Sequence, residues 1–122
     1  MSKYTIGIDL GGTTMTAGLV DENYDIVGKI TWATRLPRPA ADLEKALADL
    51  CRAVARENKV AFSDIAYVGI GTPGSVNFNT GFVGFNTNFG YHDWNLGPDM
   101  EKLLGCKVYV ENDANAAAYG EY

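Results

Sequence analysis

The sequence predicts an α/β domain built on a mixed sheet with helices on its faces, and three observations carry that prediction. Three apolar, extended segments follow one another at the start of the chain, separated by short polar turns. A long amphipathic helical segment comes next. Beyond it, strands of the buried type alternate with helical segments, as βα units do.

Taken in order, the first strand is Tyr4–Leu10, apolar except for Asp9, an acid that reads as buried among its hydrophobic neighbours. It runs into Gly11-Gly12-Thr13-Thr14 and a second strand over 15–20. Asp21-Glu22-Asn23 supplies the turn to a third strand over 26–34. Pro37 and Pro39 end this extended section. A helix over about 41–57 follows from Leu43, Leu47, Leu50, Cys51 and Val54, which share one helical face. Residues 65–71 form a short buried strand, and Thr72-Pro73-Gly74-Ser75 must turn sharply. Residues 75–96, rich in Asn, Gly and aromatics, read as a long irregular binding segment with a small hairpin turn at Thr80-Gly81. A short helix over 97–104 ends at Gly105, a buried strand covers 107–110, and a helix over 114–122 starts with Asp113 at its N-cap. No internal repeats or low-complexity segments occur.

Size and composition narrow the function classes. A chain of 122 residues makes one compact domain and buries roughly 65% of the surface of its unfolded chain. Its 47% apolar and 20% charged content is ordinary for a globular protein. A net charge of −5 argues against nucleic acid or an anionic membrane as partner. No stretch approaches the ~18 consecutive apolar residues of a transmembrane helix, and the start of the chain leaves no room for a signal peptide. The cysteines, Cys51 and Cys106, read as reduced packing residues of a cytoplasmic protein. They have no zinc spacing, and His92, the only histidine, makes no metal cluster by itself.

Three motifs carry chemistry. In Asp9-Leu10-Gly11-Gly12-Thr13-Thr14 two glycines allow a tight turn, the exposed backbone N–H groups form an anion nest, and the threonine hydroxyls add donors. A carboxylate beside a phosphate nest can hold Mg²⁺, usually through water. A hairpin with an incidental acid has the same pattern. The stretch is not a P-loop, because no G-x-x-x-x-G-K-[ST] occurs. In Gly69-Ile70-Gly71-Thr72-Pro73-Gly74 a rigid turn presents backbone groups at the carboxyl end of a strand, where open α/β sheets bind ligands. In Glu111-Asn112-Asp113-Ala114-Asn115-Ala116-Ala117 a strand delivers an Asn suited to a sugar hydroxyl and an Asp able to take a proton from one. Asp113 is equally a good N-cap.

Together, in this order and spacing, the motifs resemble the N-terminal half of the ROK family of sugar kinases and repressors, bacterial glucokinases above all. The resemblance covers essentially the whole chain. It implies the ribonuclease H-like fold of the actin-like ATPases, in which the first hairpin and the later strand ends converge on one edge. It implies ATP-dependent phosphorylation of a hexose, with Asp9, Gly11, Gly12, Thr13 and Thr14 on the nucleotide phosphates and Asp9 on Mg²⁺ through water. On the sugar side it implies Gly71, Thr72, Pro73, Gly74, Asn88 and Asn112, with Asp113 both binding the sugar and acting as catalytic base. Asn88 falls in Asn86-Thr87-Asn88-Phe89-Gly90-Tyr91, where Thr87 replaces the family's Pro and Tyr91 its Trp. The family has a second, larger domain, with a zinc-binding Cys-rich motif and further sugar ligands. Residues 1–122 are therefore expected to be the first domain of a homo-oligomeric cytoplasmic enzyme, inactive alone and itself without zinc. Two rival readings stay open. One is a sugar-responsive regulator of the same family, disfavoured by acidity and by the absence of room for a helix-turn-helix before the first strand. The other is a non-catalytic sugar- or nucleotide-binding module.

Overall fold

The computed structural model describes residues 4–72, 75–77, 82–86 and 91–112. Eight strands and two α-helices run in the order β1 (Tyr4–Leu10), β2 (Thr14–Val20), β3 (Ile26–Ala33), α1 (Ala40–Glu57), β4 (Ile65–Thr72), β5 (Ser75–Asn77), β6 (Phe82–Asn86), β7 (Tyr91–Trp94), α2 (Leu96–Leu104) and β8 (Lys107–Asn112), with a 3₁₀ turn over Phe62–Asp64 before β4. The main sheet has five strands in the order β3-β2-β1-β4-β8. The first three form an antiparallel meander, while β4 pairs parallel with β1, and β8 with β4. This is the mixed sheet that the sequence predicts, and the boundaries move by one or two residues.

Alternation in the strands decides where the core lies. Ile6, Ile8 and Leu10 of β1, Met15, Ala17 and Leu19 of β2, Val68 and Ile70 of β4, and Val108 and Val110 of β8 join one cluster with Leu43, Leu47, Leu50 and Val54 of α1 and Leu96 and Met100 of α2. Among the described residues, both α-helices thus cover the same face of the sheet. Each large side chain fully withdrawn from water there contributes about 1.5–3 kcal/mol. Asp42 in the first turn of α1 and Arg56 in its last complement the helix dipole. The α2 helix ends as expected at Gly105, at φ 74°, which a side-chain-bearing residue adopts only with strain.

Three expectations change. Within 75–96, the described residues 75–77, 82–86 and 91–94 are not irregular: β5, β6 and β7 form a second, antiparallel sheet. Its pairing of Asn77 with Phe82 brackets the expected hairpin, although Thr80 and Gly81 lie outside the described residues. Short strands among Asn and Gly give little periodicity to read. The β8 strand continues to Asn112 rather than stopping at 110, which makes Glu111 a sheet residue. Asp9 is exposed, not buried. Strand alternation turns it away from Ile8 and Leu10, onto the face opposite the helices. The expected helix over 114–122 lies outside the described residues.

Candidate active site

The register of the sheet brings Asp9, Gly71 and Thr72, and the backbone of Asn112, to one edge. Thr31 pairs with Thr16, Thr16 with Asp9, Asp9 with Gly71 and Gly71 with Glu111, so one row crosses all five strands on the face opposite the helices. The hydroxyls of Thr16 and Thr31 are 2.8 Å apart and hydrogen-bonded. Asp9 and Glu111 flank a glycine, two strand spacings or about 10 Å apart along the row. Gly71 places no side chain between them. One residue further along, Thr72 pairs with Asn112. The parallel strands β1, β4 and β8 therefore end together, and the 11–14 turn emerges beside them. This is the position at which open α/β sheets take ligands.

The turn itself is held from below. Gly11 donates its N–H to the Thr14 carbonyl at 2.9 Å, closing the hairpin. A Cβ on residue 11 would come within 3.1 Å of that carbonyl oxygen, a close approach that explains glycine there. Neither Gly11 nor Gly12 has a positive φ; Gly105 is the only glycine that does among the described residues. Thr34, fully buried, donates its hydroxyl to the Gly11 carbonyl at 2.8 Å and its N–H to the Thr13 carbonyl at 2.9 Å. The Gly11 N–H is thus spent inside the turn. Among the described residues the N–H groups of Gly12 and Thr13 have no acceptor, and the side chains of Thr13 and Thr14 are exposed. Two adjacent free amides and two hydroxyls form an anion nest.

The donor set beside this nest suits Mg²⁺. Among the described residues no group of three or more His, Cys, Asp or Glu could cage a metal ion. Mg²⁺ does not need such a cage, because it keeps most of its waters and takes one or two carboxylates plus substrate phosphates. Asp9, exposed at the mouth of the turn, offers such a carboxylate.

The remaining predicted residues are placed unevenly. Gly71 and Thr72 are buried at the end of β4, and the backbone of Asn112 ends β8. Pro73, Gly74, Asn88 and Asp113, and the side chain of Asn112, lie outside the described residues. Sequence reasoning missed Glu111 and Thr34. Counting the period of two through residues 107–112 would have put Glu111 on the Asp9 face. No local signal marks Thr34, whose bond to Gly11 spans 23 positions.

Two other features lie apart from the predicted residues. A cleft of about 510 Å³ between β3 and α1, lined by Trp32, Arg35 and Arg38 among others, contains none of the predicted residues. Burial pushes the free thiol of Cys51 up to about 12 and raises that of Cys106 as well, which disfavours the reactive thiolate.

Trp94 closes β7 and donates its indole N–H to Glu44, near the start of α1, at 2.8 Å. Burial pushes the Glu44 carboxyl up to about 7, helped by a hydrogen bond with the Asp99 carboxyl and opposed by the bond from Trp94. This buried junction ties the second sheet to both helices.

Comparison with known proteins agrees with this arrangement. The sequence pattern of the ROK family matches residues 5–122. The glucokinase of Thermotoga maritima is 39% identical over 117 residues, which is 95% of this chain and 35% of that protein. The glucokinase of Streptomyces coelicolor is 40% identical over 121 residues, 97% of this chain and 35% of that protein. The chain thus spans about a third of the length of these relatives. A ROK-family glucokinase from Streptomyces griseus, solved with glucose and AMPPNP, superimposes with a TM-score of 0.83 at 37% identity, covering 98% of this chain and 36% of the other. A ROK-family transcriptional regulator shares the fold as well, at 20% identity and a TM-score of 0.82. The mixed five-stranded sheet, its ribonuclease H-like strand order and the match over nearly all of its length show that the chain belongs to the ROK family.

Proposed function

We propose that this chain is the first domain of a two-domain, ATP-dependent kinase that phosphorylates a hexose of the glucose type. The observation that carries the reading is the register row that sets Asp9 beside Gly71 and Glu111, with an open anion nest next to it. The relatives support the sugar class. Four glucokinases match at 31–40% identity, a fructokinase at 28% and an N-acetyl-D-glucosamine kinase at 33%.

Phosphoryl transfer needs positioning and charge neutralisation more than covalent chemistry. The Gly12 and Thr13 amides and the Thr13 and Thr14 hydroxyls hold nucleotide phosphates. Asp9 holds Mg²⁺ through water, and the ion supplies charge neutralisation at the transferred group. The residues at the carboxyl ends of β4 and β8, Gly71, Thr72, Pro73, Gly74 and Asn112, orient the sugar together with Asn88. Asp113 accepts the proton of the attacking hydroxyl as its oxygen bonds the γ-phosphorus and the bond from that phosphorus to the bridging oxygen breaks, releasing ADP. Closure of the second domain excludes water from the cleft and limits ATP hydrolysis. A regulator function has the net charge of −5 against it.

The test is hexose-dependent ADP release by the protein at the full length of its relatives, repeated with Asp113→Asn. Glucose-dependent turnover is expected, with kcat in the variant lower by roughly 10²–10⁴, the range for a positioned general base. Stability should change by less than about 1 kcal/mol, because Asn also serves as an N-cap. An unchanged kcat removes Asp113 from the chemistry. No turnover with any hexose removes the kinase reading.

A further inference from the structure

We infer that Thr34 is a positioning residue for the phosphate turn: it sets the direction in which the turn's amides point, and Arg38 holds it in place. The inference rests on the kinase reading for what the turn binds, and on geometry for everything else. Thr34 lies one residue beyond β3 and is fully buried. It bonds carbonyls near both ends of the turn, Gly11 through its hydroxyl and Thr13 through its N–H. Its own carbonyl accepts a hydrogen bond from Arg38 Nη1 at 2.8 Å. The guanidinium of Arg38 also reaches the Asp42 carboxylate in the first turn of α1, at 3.5 Å. One strut thus runs from the start of α1 through Thr34 to the turn.

The consequence follows from peptide geometry. In a planar trans peptide the C=O and N–H groups point in opposite directions. The Gly11 carbonyl shares its plane with the Gly12 N–H, and the Thr13 carbonyl shares its plane with the Thr14 N–H. When buried Thr34 captures the two carbonyls, both amides are turned away from it, and of these the Gly12 N–H is one of the two that form the nest. Without the hydroxyl bond the Gly11–Gly12 peptide is free to rotate, and its glycines offer little steric resistance to a flip. The nest is then no longer organised before the anion arrives, and binding must meet the cost of ordering it.

Thr34→Val tests this, because it keeps the shape and the backbone N–H and removes only the hydroxyl. The experiment uses the full-length protein and reads KM for MgATP, KM for glucose, Kd for a non-hydrolysable ATP analogue, and Tm. A lost hydrogen bond of ordinary strength predicts a rise of roughly 3- to 10-fold in the nucleotide KM and Kd, with the glucose KM within about twofold. Thr34→Ser restores the hydroxyl and should restore both nucleotide constants. If Thr34→Val does not fold, Arg38→Ala loosens the same strut from its outer end and should raise the nucleotide Kd in the same direction by about 2- to 3-fold. A variant that lowers Tm while the nucleotide constants stay unchanged makes Thr34 a structural residue only and overturns the inference. Equal rises in the nucleotide and glucose constants overturn it as well. A protein that binds the analogue but phosphorylates no hexose sinks the kinase reading alone, since Thr34 is still read on the Kd. A protein that binds no nucleotide sinks both.

Discussion

The phosphate turn and the small β5-β6-β7 sheet are both attached to one core, but they are anchored by different physics. At the turn, the bonds that fix the backbone are neutral: Gly11 to Thr14, and Thr34 to Gly11 and Thr13. None of them titrates. The small sheet is tied down at Trp94, whose partner Glu44 is a buried carboxyl pushed up to about 7. The difference teaches that the turn is held by bonds that do not change with pH, whereas the anchor of the small sheet carries a charge whose cost grows as pH rises. The contrast can be broken or sharpened by substitution on either side.

The largest effect is expected on the small-sheet side. Trp94→Ala removes a side chain that is 4% exposed and leaves Glu44 without its indole donor. A loss of about 3–5 kcal/mol is expected in chemical denaturation. A loss below about 1 kcal/mol would mean that this junction does not hold the small sheet to the core.

Next in size is the pH dependence of Glu44. Its folded value, about 7, lies above the reference value of 4.5, so the folded state binds its proton more tightly than the unfolded state. Stability is then highest below about pH 4.5, falls as pH rises toward 7, and levels off above it; the full shift corresponds to about 3–4 kcal/mol at most. Glu44→Gln removes the titration and keeps an acceptor for Trp94. Denaturation midpoints measured from pH 5 to 8 should show a flatter profile for the variant, with its advantage over the parent growing toward pH 8. Parallel profiles would place the titrating group elsewhere.

A smaller effect is expected at the turn. Gly11→Ala forces the Thr14 carbonyl to give by a few tenths of an ångström, since the added Cβ would lie 3.1 Å away. The expected cost is about 1 kcal/mol of stability, independent of pH. A cost that varied between pH 5 and 8 would contradict the neutral anchoring of this end.

These two regions also differ in how far the sequence alone announces them. Strand and helix positions follow from periodicity, and the Gly11–Thr14 turn is visible because its signals are contiguous. The exposure of Asp9 is half visible. Alternation with Ile8 and Leu10 sets its face, but whether that face is covered depends on the rest of the fold. The small sheet escapes because its strands are three to five residues long and sit among Asn and Gly. The links that anchor the two regions escape for another reason: Thr34 meets Gly11 across 23 positions and Trp94 meets Glu44 across 50. Neither partner of those pairs carries a local pattern that points to the other.

The central claim is that the edge of the sheet divides its labour, with Asp9 and the turn serving the magnesium nucleotide and the ends of β4 and β8 serving the sugar. Calorimetry on Asp9→Ala in the full-length protein, titrated separately with a magnesium–nucleotide analogue and with glucose, tests it most directly. Loss of one charge-assisted contact predicts a nucleotide Kd weaker by roughly 10- to 100-fold, a glucose Kd within about twofold, and a change in stability under about 0.5 kcal/mol because the side chain is exposed. Glucose binding lost with nucleotide binding intact would contradict the division and move Asp9 to the sugar side.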